Sequence, residues 1–349
     1  MNPEATKQFG AKLVSLYTGS VLTKLIDIGY EVGLFEASRK GPATSEELAE
    51  RAGLKERYVR EWLGAMATGG IYRYDAKSER YELPEEHAAL LTGHTAQNAA
   101  PHSRILEHFG THLPKIKACF RAGGGVQYSA YRRVFTQCMD DVWRRIFDQT
   151  LVSSFIGGVP GLSERLRSGI SVLDVGCGTG HAMNLLAREF PRSRFLGYDI
   201  GEDAIEAAQR EAGEMKVGNS RFAMQDVAEL PATPKFDLIT AFDAIHDQKD
   251  PDAVLRGVRR ALAPDGVFLM VDFKFHSRVE DNMSNPFAPM YYGISLMHCM
   301  TVSLAVGGKG LGTVWGEETA RRMMAEAGFG RVEVLDTPRP QNYMFVCRA

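Results

Sequence analysis

Cysteine is sparse and unpatterned in this chain. The five cysteines among 349 residues (Cys119, Cys138, Cys177, Cys299 and Cys347) form no CxxC pair and keep no regular spacing. That excludes a disulfide framework or a zinc cluster and points to a reducing compartment. Long apolar runs are missing too. None approaches the roughly 18 residues that a membrane span needs, and the opening Met-Asn-Pro-Glu-Ala-Thr-Lys carries no apolar signal region. Neither sign of charge dominates, with 41 Lys and Arg against 43 Asp and Glu, so no global field draws in nucleic acid or an anionic membrane. What is plentiful is core material: 44% of residues are hydrophobic, enough for a large interior. The length favours two domains. The expectation is a cytoplasmic two-domain protein.

Between Thr6 and Ile28, residues Leu13, Leu16, Tyr17, Val21, Leu22, Leu25 and Ile28 recur at spacings of three and four, which predicts an amphipathic helix that Gly29 and Gly33 bring to an end. Thr44-Ser45-Glu46-Glu47 reads as a capping box opening a helix to Ala52, with Gly53 as its stop. A further helix runs from Lys55 to Thr68 with Tyr58, Val59, Trp62, Leu63 and Met66 on one face. Ile71–Tyr74 and Arg80–Leu83 form a hairpin. Helices followed by a hairpin are the order of a winged helix, which can dock in a DNA groove. Residues 1–95, however, hold 12 basic against 14 acidic side chains, and phosphate binding needs a cationic excess. Nucleic acid is therefore not expected as a partner.

Residues 86–137 read as irregular helix with five histidines, of which only His108 and His112 have i, i+4 spacing, with no carboxylate between them in the HExxH position. No metal is expected. Gly123-Gly124-Gly125 followed by Tyr128 and Tyr131 suits a mobile segment over a pocket. A long helix from Thr136 to Phe155 ends at Gly157-Gly158-Val159-Pro160-Gly161, and the domain junction is placed between 135 and 160.

Chemistry enters at Ser171–Gly180, Ser-Val-Leu-Asp-Val-Gly-Cys-Gly-Thr-Gly. A buried strand that breaks into glycines and then enters a helix lets backbone approach a ligand. A dinucleotide fingerprint needs Gly or Ala three residues after its second glycine, and here that position is His181. Asp174, ahead of the glycines, suits a ligand with a positive amino or sulfonium group. Strands and helices then alternate: 194–198, 202–214, 220–224, 236–242, 251–262 and 266–273, implying a parallel sheet with its ligand over the carboxyl strand ends. Asp199, Asp226 and Asp243 fall at three further strand ends. Asp199 can accept ribose hydroxyls, and Asp226 an adenine amino proton.

This constellation resembles the class I S-adenosylmethionine-dependent methyltransferases over roughly residues 150–349, with Val332–Val334 and Tyr343–Cys347 as the last two strands. The resemblance implies an α/β fold: a seven-stranded Rossmann-like sheet, mostly parallel with its last strand antiparallel, behind a mainly helical winged-helix domain. It divides the chain into residues 1–95 (winged-helix-like), 96–155 (helical linker and substrate roof) and 156–349 (donor-binding domain, with an insertion at 276–312). By the same resemblance S-adenosyl-L-methionine is the cofactor. Asp174, Gly176, Cys177, Gly178 and Gly180 line its methionine portion, Asp199 binds the ribose, and Asp226 with Val227 brackets the adenine; Ile200, Phe242 and Asp243 complete the site. The winged helix together with Phe242–Gln248 and His298–Leu304 is similar to a two-domain small-molecule subfamily. Some members of it methylate sulfide or small thiols, and in related enzymes the winged helix pairs subunits. A homodimer and a lean to a thiol or sulfide acceptor follow as expectations.

Methyl transfer is in-line displacement, so the protein chiefly positions the reactants and excludes water. Hydroxyl or amine acceptors need help losing a proton, which His246 could give as general base with Asp247 nearby; a thiol needs less. Tyr17, Tyr128, Tyr131, Tyr292, His298 and Cys299 are candidates for the substrate pocket, and Gly307–Gly312 for a flexible lid. The alternatives are O- or N-methylation of a secondary metabolite and, from a different class, a cofactor-sensing DNA-binding regulator.

Overall fold

A computed structural model describes residues 1–348, and the chain divides into two compact units, residues 1–107 and 108–349. Of the region expected as helical linker and substrate roof, 96–155, residues 108–155 fall in the second unit.

In the first unit, Asn2 caps α1 (Pro3–Glu31) by accepting from the Glu4 amide at 3.0 Å. α2 (Leu34–Ser38), α3 (Ser45–Ala52) and α4 (Glu56–Thr68) lead into the hairpin of β1 (Arg73–Asp75) and β2 (Arg80–Glu82), then α5 (Glu85–Leu91) and α6 (Pro101–Gly110). The capping box is present, with the Glu47 amide donating to Thr44 Oγ1 at 3.3 Å and the Thr44 amide to Glu47 Oε2 at 3.2 Å. Glu47 also pairs with Arg80 at 2.6 Å, tying α3 to the hairpin. Leu48, Val59, Leu63 and Met66 close a core around the Phe35, Trp62 and Tyr72 rings.

Two expectations fail here. Gly29 does not end α1; it lies inside the helix, where a Cβ would stand 2.4 Å from the Trp62 ring. The apolar stripe of α1 divides: Leu22 and Leu25 pack against this core, while Leu16, Tyr17, Val21 and Ile28 are exposed. Tyr58, assigned to the buried face of α4, is 82% exposed. On α4 the cations are neutralised in place, Arg57 by Glu61 at 2.5 Å and Arg60 by Glu56 at 3.1 Å.

The second unit starts with α7 (Leu113–Ala122), α8 (Tyr128–Tyr131), α9 (Val134–Thr150) with its π-helical extension Leu151–Ile156, and α10 (Leu162–Ser168). The alternation follows: β3 (Ser171–Val175), α11 (His181–Glu189), β4 (Arg194–Asp199), α12 (Glu202–Glu214), β5 (Ser220–Met224), β6 (Phe236–Phe242), α13 (Pro251–Ala261) and β7 (Leu262–Phe273). The insertion contributes α14 (Ala288–Met297) and α15 (Cys299–Ala305); α16 (Glu317–Glu326), β8 (Arg331–Asp336) and β9 (Asn342–Arg348) complete the chain. The seven strands lie in the order β5-β4-β3-β6-β7-β9-β8, parallel except for β9, which is antiparallel to β7 and β8.

The chain steps outward from β3 to β4 and β5, then returns to place β6 on the other side of β3. That reversal opens a crevice above the carboxyl ends of the two strands. The expected junction at 135–160 lies within this unit. Of the glycine run 123–125, Gly125 is packed: a Cβ there would overlap the Thr301 carbonyl, and the Val126 amide donates to Thr301 Oγ1 at 3.0 Å, whereas the Cβ positions of Gly123 and Gly124 are open. Gly307–Gly312 is pinned as well, with the Gly308 amide on the Ser303 carbonyl at 2.8 Å.

Candidate active site

A cavity of about 420 Å³ opens over the carboxyl ends of β3, β4 and β6. One wall is the glycine turn. Gly176, Gly178 and Gly180 all have positive φ, at 73°, 52° and 71°, where an L side chain is strained. Their reasons differ. A Cβ on Gly180 would come within 2.5 Å of Ala208 and Phe222, whereas the Cβ position of Gly178 meets nothing within 4 Å. Gly180 serves packing; Gly178 leaves open space where the turn lines the cavity.

Asp199, at the end of β4, accepts from the Gly178 amide at 2.9 Å and from the Gly201 amide at 2.8 Å. Asp174 is 2% exposed and accepts from Thr240 Oγ1 at 2.6 Å; burial pushes its carboxyl up to about 7. Burial likewise raises Asp199. Asp226 caps the turn after β5 by accepting from the Ala228 amide at 2.9 Å. Cys177, Ile200, Val227, Phe242 and Asp243 also line the cavity, so the predicted donor residues other than Gly180 share one cavity. Burial, with Asp272 adding to it, pushes Asp243 up to about 7; its φ of 50° is strained for a side-chain-bearing residue.

The opposite wall is α9, which lies within the region expected as the roof, although none of its residues was singled out for a site in the sequence. Phe135, Thr136, Met139, Asp140, Trp143, Arg144 and Phe147 line the cavity. Asp140 ties the helix to the glycine turn by accepting from Thr179 Oγ1 at 2.5 Å and from Arg144 at 3.0 Å. His181, the residue that broke the dinucleotide pattern, joins the same network through Glu211 at 2.8 Å and Asp148 at 2.9 Å. The only sequence signal was the i, i+4 spacing of Asp140 and Arg144.

Of the predicted catalytic pair, Asp247 lines the cavity and His246 does not. His246 is 2% exposed, with Nδ1 3.0 and 3.1 Å from the two carboxylate oxygens of Asp272. Burial disfavours its charged form, but Asp272 and Cys299 outweigh that and hold the ring well above its ordinary value. Burial lifts Asp247 to about 6, with the charge of His246 working against the rise.

The substrate candidates separate. Tyr128 lines the cavity. Tyr131 does not; it is fully buried, with its hydroxyl donating to the Met297 carbonyl at 2.6 Å. Tyr292 sits on α14 near Asn282, 3.5 Å from it. His298 and Cys299 are buried behind the wall, and Tyr17 lies on α1 in the first unit. Gln248, Lys249, Val302 and Val306 line the cavity instead. Among the described residues no group of His, Cys, Asp or Glu could hold a metal ion, and no helix is long and apolar enough to cross a membrane.

Comparison with known proteins agrees with this geometry. Residues 166–328 match the family model described as a methyltransferase domain, and residues 20–93 the Rv2258c-like winged HTH domain. An indolepyruvate C-methyltransferase of Streptomyces griseus is 24% identical over 96% of this chain and 94% of its own length. A fatty-acid O-methyltransferase of Mycolicibacterium smegmatis is 33% identical over only 30% of this chain and 37% of its own length. Human N-acetylserotonin methyltransferase, solved in complex with SAM, superposes with a TM-score of 0.69 at 15% identity, covering 98% of this chain and 97% of that one. None of these relatives supports the thiol or sulfide preference.

Proposed function

We propose that this chain, a two-domain S-adenosylmethionine-dependent methyltransferase, methylates a small-molecule acceptor at an atom that must first give up a proton, in the first place an oxygen or a nitrogen. The observation that carries the reading is the convergence of the glycine turn with Asp174, Asp199 and Asp226 on one cavity. The donor fits this wall chemically. Burial holds the Asp174 carboxyl up to about 7, and an ammonium or a sulfonium beside it would stabilise its ionised form, whereas Asp243 already faces Arg339 at 4.0 Å.

When bound, S-adenosylmethionine supplies a methyl group activated on a sulfonium sulfur. The chain does the rest. Asp199 and Asp226 hold the nucleoside end, Asp174 the amino end, and α9 shuts out water along the length of the site. Asp247 stands on the wall as the proton acceptor, and near 6 it is ionised at neutral pH yet still basic enough to work. His246, paired with Asp272 behind it, orients that segment and balances its charge. Such machinery is superfluous for a thiol, which ionises readily by itself. A carbon acid beside a carbonyl is a second acceptor class; the S. griseus relative, which spans nearly the whole chain, favours it.

A homodimer is part of the proposal. The exposed apolar residues of α1, including Phe9, Val14, Leu16, Tyr17 and Val21, form a surface suited to a second copy. The paired charges on α4 speak against a DNA-binding regulator. The reading is tested by incubating purified protein with the donor and a panel of phenols, carboxylic acids, amines, 2-oxo acids and thiols. Demethylated donor should appear with a proton-bearing oxygen, nitrogen or carbon acceptor and not with thiols alone.

A further inference from the structure

Arg339 is buried behind the cavity wall, in the link between β8 and β9. It does not line the cavity, but it meets two residues that do. Its guanidinium carbon sits over the indole of Trp143 on α9, 4.7 Å from the ring centroid. Nη1 of Arg339 stands 4.0 Å from Oδ2 of Asp243, just past β6. The link is itself held in place: the Arg339 amide donates to Thr337 Oγ1 at 3.1 Å, and the Arg339 carbonyl accepts from the Asn342 amide at 3.0 Å. Asp243 needs outside support, because its φ of 50° survives only where neighbours over-determine it. Its amide donates to the Val271 carbonyl at 2.9 Å, and its Oδ1 accepts from Nδ2 of Asn342 at 3.1 Å. Oδ2 faces Arg339.

We propose that Arg339 is a positioning residue for donor binding: seated over the Trp143 indole, it fixes the place and the charge of the Asp243 carboxylate on the cavity wall. The inference rests on the reading of that cavity as the donor site. A guanidinium suits both contacts. It stays charged when buried, is weakly hydrated, and can lay its face on an aromatic ring while its N–H groups point at a carboxylate. At 4.0 Å, with both side chains buried, that charge favours the ionised carboxylate. It works there against burial and against Asp272. The titratable and charged groups facing Asp243 are Arg339 from the β8–β9 link, Asp272 from β7 and His246 from the segment after β6. Without the cation, Asp243 holds its proton at neutral pH, and the wall offers a cationic donor one negative charge fewer.

The test reads the carboxyl directly and needs no acceptor. Protein labelled with carboxyl-¹³C aspartate is titrated by NMR in wild type, Arg339→Met and Arg339→Lys, with Asp243 assigned from Asp243→Asn. Affinity for S-adenosylmethionine is measured by calorimetry at pH 7 and pH 9. In Arg339→Met, which keeps an unbranched apolar chain over the indole, the Asp243 midpoint should rise by about one pH unit or more. Donor affinity should then fall by about fivefold or more at pH 7 and return to within about twofold of wild type at pH 9. Arg339→Lys, which keeps the charge, should hold the midpoint within about one unit of wild type. An unchanged midpoint in Arg339→Met overturns the role of Arg339. So does a loss of affinity that is equal at both pH values, because a merely structural part acts at every pH. If Arg339→Met does not fold, a midpoint in Arg339→Lys more than about one unit above wild type overturns it equally. A wild-type chain that binds no donor overturns the reading beneath it instead.

Discussion

The carboxylate of Asp199 and the amide of Gly178 are joined by a 2.9 Å hydrogen bond, so the acid of the second sheet strand and the glycine turn form one unit. The other oxygen of Asp199 holds the Gly201 amide at the start of α12. Asp199→Ala therefore removes a ligand contact and the brace of the turn together. A charged hydrogen bond is worth about 1.5–3 kcal/mol, so donor affinity measured by calorimetry should fall by about 10- to 150-fold. An unchanged affinity would place the donor elsewhere.

Donor binding should strengthen as pH rises through neutrality. Asp174 and Asp243 are both raised to about 7 by burial, and a cationic donor favours their ionised forms. Above 7 they are already ionised and binding is at its strongest. Below 7 each must lose its proton on binding, which costs about tenfold in affinity per pH unit per acid. Calorimetry between pH 5.5 and 8.5 in buffers of different ionisation enthalpy checks both the trend and the proton release. A flat profile would contradict the assignment.

Asp247→Asn keeps the shape of the wall and removes the proton acceptor. Turnover with a hydroxyl or amine acceptor should fall by about 10²- to 10⁴-fold, while donor affinity stays within about twofold. In wild type kcat/KM should rise through about pH 6 as Asp247 ionises, and the variant should lose that limb. Equal turnover by the two proteins would remove Asp247 from the chemistry.

The α1 surface gives a prediction about assembly. Charges placed at Tyr17 and Val21, which are 66% and 55% exposed, should leave the fold intact and convert a dimer into monomers in analytical ultracentrifugation. A wild-type chain that sediments as a monomer at micromolar concentration would refute the pairing.

The cavity proposed for the donor was legible in the sequence because strand-end acids and a glycine turn are local signals. The spacing from Asp174 to Gly180, with Asp199 and Asp226 at the next strand ends, dictates both the elements and their convergence. The acceptor end was not, because its wall is made by chain-distant segments whose residues are ordinary for helices. Trp143 and Phe147 read as the buried face of any helix, and only their contacts with Phe242, at 6.0 and 4.9 Å, reveal them as cavity wall. Tyr131 and His298 looked like site residues by type but were recruited to the core. The periodicity of α1 was real, but only Leu22 and Leu25 of its stripe pack on the core while Leu16, Tyr17, Val21 and Ile28 stay exposed, since hydrophobic spacing signals burial without saying against what.

The central claim is methyl transfer to an acceptor that must lose a proton, and an acceptor panel with mass-spectrometric detection of methylated product tests it most directly. The account predicts methylated product and stoichiometric demethylated donor with phenol, carboxylic acid, amine or 2-oxo acid acceptors, lost in Asp247→Asn. Product with thiols alone, unaffected by that substitution, would contradict it.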